Sequence, residues 1–289
     1  MAANMLPDCL SSITVSVIGW TFLLLCVTTS QCAQTILPCQ GNESNFVGTV
    51  VLTSGNEFLL QDCRLPVTFL LATGTINNVA IAVRGGVVLP FMFWGNAFTA
   101  SNISVLVENV EVPITSPLTN VFMCLLDTAL TNVSVIVRNS VFYFSMNPTS
   151  YRGLFLSLSQ KSSPPNPPME SLMLVIQNTT VHATAMTSCL IVNIDANSVF
   201  ASDISVLVLN SVVNITLVRD NFFAADESIL FFSVIQAANV MFRVSGSVVA
   251  LGASHKLCYG AITQRGAYPG SASVVIFRTV FQHVNSSYI

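Results

Sequence analysis

One short strand-like unit recurs seven times along this chain, and the recurrence limits the folds open to it. Its clearest copy is Ile204-Ser205-Val206-Leu207-Val208-Leu209-Asn210-Ser211-Val212. Ile204, Val206 and Val208 fall on one face, because side chains alternate along an extended backbone. Asn210 stands where the chain would bend. The seven copies begin at Val79, Ile103, Val133, Leu172, Ile204, Val240 and Ala272. Their fifth position holds Val83, Val107, Val137, Ile176, Val208, Val244 and Ile276, all β-branched residues that suit a packed pleated surface. Their third holds Ile81, Val105, Val135, Leu174, Val206, Phe242 and Val274. The sixth is mostly polar, with Arg84, Glu108, Arg138 and Gln177 in the first four copies. The seventh is Gly85, Asn109, Asn139, Asn178, Asn210, Gly246 or Arg278, and Gly and Asn best tolerate positive φ. A turn former precedes each unit: Asn78, Asn102, Asn132, Ser171, Asp203, Asn239 or Ser271.

Copies lie 24 to 39 residues apart with no helical pattern between them, which predicts a solenoid. The expected fold is all-β, a right-handed parallel β-helix of about seven rungs behind an N-terminal cap. Residues 34–66 form that cap in this reading, and 67–289 form the helix. Each rung would add an opening apolar strand and a third strand to the alternating one. Alternate rungs open with Cys124-Leu125-Leu126, Cys189-Leu190-Ile191 and Cys258-Tyr259-Gly260. From Ile103, spacings across two copies are 69, 71, 68 and 68 residues, which suggests duplication of a two-rung block. Residues 159–171 contain Pro164, Pro165, Pro167 and Pro168, which cannot join a central sheet, so this loop is expected to project.

The seventh column carries the sharpest structural expectation. Asn109, Asn139, Asn178 and Asn210 would turn inward and hydrogen-bond to one another as an asparagine stack, since an amide both donates and accepts. Asn178 should then escape glycosylation although it lies in a sequon.

Residues 1–33 read as a secretory leader: an apolar run over 13–27, with Trp20 and Leu23-Leu24-Leu25, and then small and polar residues. Cleavage after Cys32 or Ala33 is expected. The leading residues lack Lys and Arg and include Asp8, which leaves an uncleaved signal anchor open. Five further sequons, at Asn42, Asn102, Asn132, Asn214 and Asn285, are read as glycosylation sites. Charged residues are only 8% of the chain, the net charge is -3 and no basic run exists, which argues against nucleic acid as a partner. Outside the leader no apolar stretch is long enough to span a bilayer as a helix.

Cys39 and Cys63 are the expected disulfide pair in the cap. Cys124, Cys189 and Cys258 are expected in one column of alternate rungs, about 9.6 Å apart at about 4.8 Å per rung. That is too far for a disulfide, so they should be free thiols. No Cys-x-x-Cys pair suggests zinc, and no cofactor is expected. Carbohydrate-cutting chemistry would need converging carboxylates. The candidates Asp195, Asp203, Asp220, Asp226 and Glu227 form no such constellation in the sequence, and His182, His255 and His283 are scattered. No catalytic or metal site is therefore assigned.

The leader, the Cys-Leu-Leu openings and the lines Asn102-Ile103-Ser104-Val105-Leu106-Val107-Glu108-Asn109 and Asn132-Val133-Ser134-Val135-Ile136-Val137-Arg138-Asn139 resemble the dispersed gene family surface proteins of trypanosomes. The resemblance covers nearly the whole chain. It implies a β-helix-like region at the front of a long glycoprotein with membrane helices near its C-terminus and a surface or adhesion role. This chain departs by reaching Ile289 without a membrane helix, with 281–289 inside a rung, so a longer parent protein is expected. Membrane attachment would come only through an uncleaved leader or that missing region. The functional expectation is a secreted or cell-surface glycoprotein without catalysis, engaging host-cell or extracellular-matrix glycans or proteins. The alternatives are a polysaccharide-active lyase or glycoside hydrolase, and a non-functional fragment.

Overall fold

The structure, a computed structural model, describes residues 34–37, 49–62, 67–71, 74–85, 91–96, 98–114, 123–126, 129–146, 153–160, 169–185, 190–196, 201–217, 228–234, 237–252, 258–264 and 272–284. All of them fall within one compact unit, Cys32–Ile289. Their regular structure is entirely β-strand, arranged in three sheets in which every strand pairing is parallel. Among the described residues no helix is long and apolar enough to cross a membrane.

The recurring unit builds the largest sheet. Its nine strands lie in chain order: Gln34–Leu37, Glu57–Gln61, Gly74–Arg84, Phe98–Glu108, Ala129–Arg138, Met169–Gln177, Ala201–Leu209, Ala237–Ser245 and Ala272–Phe277. The pairing matches the alignment read from the sequence. Val79 lies opposite Ile103, then Val133, Leu172, Ile204, Val240 and Ala272 follow in a single column. An eight-stranded sheet runs from Thr49–Val51 to Cys258–Gln264, and a five-stranded sheet from Val141–Met146 to Val280–Val284. From Met123–Leu126 onward the chain visits the eight-, nine- and five-stranded sheets in that order, and repeats it.

The core lies on the odd positions of the unit. Val83, Val107, Val137, Ile176, Val208 and Val244 are fully buried, each at 0% exposure. Phe142, Phe144 and Phe155 join the five- and eight-stranded sheets across the interior, with Phe155 edge-on to the other two at 5.3 and 5.4 Å between centroids. Such edge-to-face pairs gain beyond the area they bury. The last strand differs: Val274 and Ile276, in the core columns, are 44% and 49% exposed, because no described strand lies beyond them.

Several expectations change. Glu57–Gln61 pairs in register with the first repeat, Phe58 opposite Ile81 and Leu60 opposite Val83, so the ladder extends into the 34–66 segment read as a cap. Ser159, Gln160 and 169–171 are strand, so the proline-rich insertion is shorter than 159–171. The prolines themselves, the leader, and Cys39, Cys63 and Cys189 lie outside the described residues.

The cysteine column does not form. The column through Cys124 passes Ser157, Asn193 and Ser233 to Thr263, five residues beyond Cys258 on its strand. The strand register sets Cys258 five residues before that column, so similar opening triplets do not stack; the one-residue slip between Gly153 and Leu156 lies outside the column.

Candidate functional site

Chemistry on a repeat fold lies on its outward columns and corners. The repeat unit of the nine-stranded sheet has two corners built by the same device, the first a bend within the strand and the second just past its end. Asn78, Asn102, Asn132, Ser171, Asp203 and Asn239 at one corner, and Asp62, Asn109, Asn139, Asn178, Asn210 and Arg278 at the other, all have φ between 47° and 57°. Gly85 and Gly246 complete the second corner with positive φ. A left-handed residue breaks the strict alternation of a strand. Thr131 and Asn132 both face outward, between buried Leu130 and Val133. Leu209 and Asn210 do the same between Val208 and Ser211.

This overturns the inward asparagine stack. Asn109, Asn139, Asn178 and Asn210 are exposed. Asn178 Nδ2 still donates to Asn139 Oδ1 at 3.2 Å, so the amides do pair along the rungs, but in solvent. Gly246 belongs to the same surface row: its positive φ favours glycine, and a Cβ there would lie 2.3 Å from Asn210 Oδ1, the movable end of an exposed side chain. The first corner carries a second amide ladder that column reading missed. Asn132 Nδ2 donates to Asn102 Oδ1, and Asn102 Nδ2 to Asn78 Oδ1, at 2.8 and 3.0 Å. Asn239 Nδ2 donates to Asp203 Oδ1 at 3.0 Å. The sequence signal was present, since turn formers filled that column.

The inward position falls one residue later, on hydroxyls. Ser140, Thr179, Ser211 and Ser247 are 1–3% exposed. Each hydroxyl donates to the carbonyl two residues back, as Ser211 Oγ does to Leu209 O at 2.8 Å. Those of Ser140, Ser211 and Ser247 also accept a backbone N–H from the preceding rung: Val110 to Ser140, Thr179 to Ser211, and Ser211 to Ser247, at 3.1 to 3.2 Å. The corner amides thereby find partners without water, as buried backbone groups require.

Two outward columns bring charges or rings into contact. In the sixth column Glu108 lies between Arg84 and Arg138, with Arg138 Nη2 at 2.8 Å from Oε1 and Arg84 Nε at 3.6 Å from Oε2. Both arginines are about half exposed, so this is a screened surface network. Arg138 Nε is buried without a hydrogen-bond partner among the described residues. In the five-stranded sheet Tyr143, His182 and Asn214 occupy one column on successive strands. The Tyr143 and His182 rings stack at 4.8 Å and 12°, and Asn214 Nδ2 lies 3.4 Å from His182 Nδ1.

Of the candidate acids, Asp195 and Asp203 are among the described residues, and they lie on strands of different sheets. Asp203 is an exposed corner residue bonded to Asn239, and Asp195 lies on a strand of the eight-stranded sheet, opposite Ser159. His182 faces out of the five-stranded sheet. Asp220, Asp226, Glu227 and His255 lie outside the described residues, as do Asn42 and Asn285. Among the described residues there is no group of three or more His, Cys, Asp or Glu placed to hold a metal ion. Comparison with known family models, with curated proteins and with solved structures finds no match.

Proposed function

We propose that the three sheets wind into a right-handed parallel β-helix, and that this helix is the binding body of a secreted or cell-surface glycoprotein. Right-handed crossovers are the strong rule for parallel strands in one sheet. The fixed order in which the chain visits its three sheets supports a continuous winding. The observation that carries the functional reading is the pair of solvent-exposed amide ladders at the corners of the nine-stranded sheet. They present donors and acceptors at a strand-spacing repeat of about 4.8 Å. A repetitive polar partner, such as a glycan or an extended matrix protein, matches such a surface. The resemblance to the trypanosome dispersed gene family agrees with a surface or adhesion role. Catalysis is not part of the proposal.

The test is an array of glycans and matrix proteins probed with purified protein from a glycosylating host, together with an assay for product release from acidic polysaccharides. Saturable binding to one ligand class without product release is the expected result. Release of shortened or unsaturated sugars would replace this reading with a hydrolase or lyase. Binding to nothing on the array would remove the adhesion role and favour a non-functional fragment.

A further inference from the structure

Four sequon asparagines lie among the described residues, and each points Nδ2 at a side chain of the preceding rung. Asn102, Asn132 and Asn178 face amide oxygens, whereas Asn214 faces the imidazole of His182. Asn214 also differs in backbone. It lies within the strand Val212–Leu217 without the positive φ of Asn102, Asn132 and Asn178. On one side of it stands the ring pair of His182 and Tyr143. On the other side the column continues with Ala250, a small side chain that is itself buried, so the accessible flank of Asn214 is the one toward His182. Thr216, the hydroxyl residue of this sequon, is exposed.

We propose that Asn214 carries an N-glycan whose first N-acetylglucosamine packs against the His182–Tyr143 stack, making the sugar a structural part of the five-stranded sheet. The proposal rests on the glycoprotein reading above. The transfer joins Nδ2 to C1 of the sugar. The C1–O bond to a polyprenyl diphosphate donor breaks, the diphosphate leaves with the electron pair, and one amide proton is released. The host cell supplies both that lipid-linked donor and the transferase. One N–H remains on Nδ2 and can still donate to His182 Nδ1, which places the ring proton on Nε2. The new C1 is then one covalent bond from an atom 3.4 Å from the imidazole. Its C–H groups meet a ring face, whose negative quadrupole attracts them.

The experiment uses protein made in a glycosylating eukaryotic host. Glycopeptide mapping should find Asn214 occupied. Thermal unfolding then compares wild type, Thr216→Ala, His182→Ala and the double variant, with Thr216→Ser as a control that keeps the sequon. Losing the glycan should lower Tm by about 2–4 °C beside His182, and by less than about 1 °C when His182 is alanine. If His182→Ala does not fold, His182→Thr, a strand former without a ring, takes its place. Equal Tm losses in both backgrounds would overturn the packing. An empty Asn214 with glycans at other sequons would overturn this proposal alone, whereas no glycan at any sequon would overturn the glycoprotein reading as well.

Discussion

Ser211 shows how one hydroxyl closes a corner. It donates to Leu209 O and accepts from the buried N–H of Thr179. Ser211→Ala leaves that N–H unpaired and should cost about 1–3 kcal/mol. Ser211→Thr keeps the hydroxyl, as Thr179 does in its own rung, and should cost much less. Urea denaturation of the two variants reads the difference. At Asn139 the demand is conformational, since φ is 51° and the side chain is exposed. Asn139→Leu should cost about 1–2 kcal/mol, because a β-carbon with no polar compensation resists the left-handed region. Asn139→Gly should be close to neutral by the same measurement. The positive φ was legible from the Gly and Asn column. The direction of the side chains was not, because counting by twos fails wherever a left-handed residue shifts the phase. The Ser or Thr after Asn139, Asn178 and Asn210 was visible in the sequence, but its burial depends on that phase shift.

A strand of this fold has two faces with different tolerances. Val208 is fully buried, whereas Leu207 is half-buried on the outer face, in the column of Val175 and Arg243. Val208→Asp should prevent folding, since it buries an unpaired charge. Leu207→Asp sets a carboxylate opposite Arg243 and should cost about 1 kcal/mol or less. Circular dichroism and chemical denaturation of the pair separate the faces, and equal damage would contradict the assignment. The register of this sheet was readable because core, polar and turn positions recur together in each unit. The eight-stranded sheet offered only a short apolar opening without a fixed turn beside it. Without such a marker the alignment of opening triplets missed the true register, which sets Cys258 five residues away from the column of Cys124.

Stacked strands decide which parts of the molecule can meet. Cys124 and Cys258 lie on strands four places apart in one sheet, about 19 Å at about 4.8 Å per place, beyond any disulfide. Non-reducing peptide mapping should find both free of each other, and a bond between them would break the strand order. The same order sets the length of the ladder. Gln61, Arg84, Glu108, Arg138, Gln177, Leu209 and Ser245 share one outward column. Gln61 and Ser245 are therefore six places apart, although 184 residues separate them in sequence (245 minus 61). Nitroxide amino acids placed at these two positions, with native cysteines left intact, allow the distance to be measured by pulsed electron paramagnetic resonance. A single narrow distribution near 29 Å, about six steps of 4.8 Å, is the predicted result. A distance below about 20 Å, or a broad distribution without a peak, would contradict an in-register parallel stack.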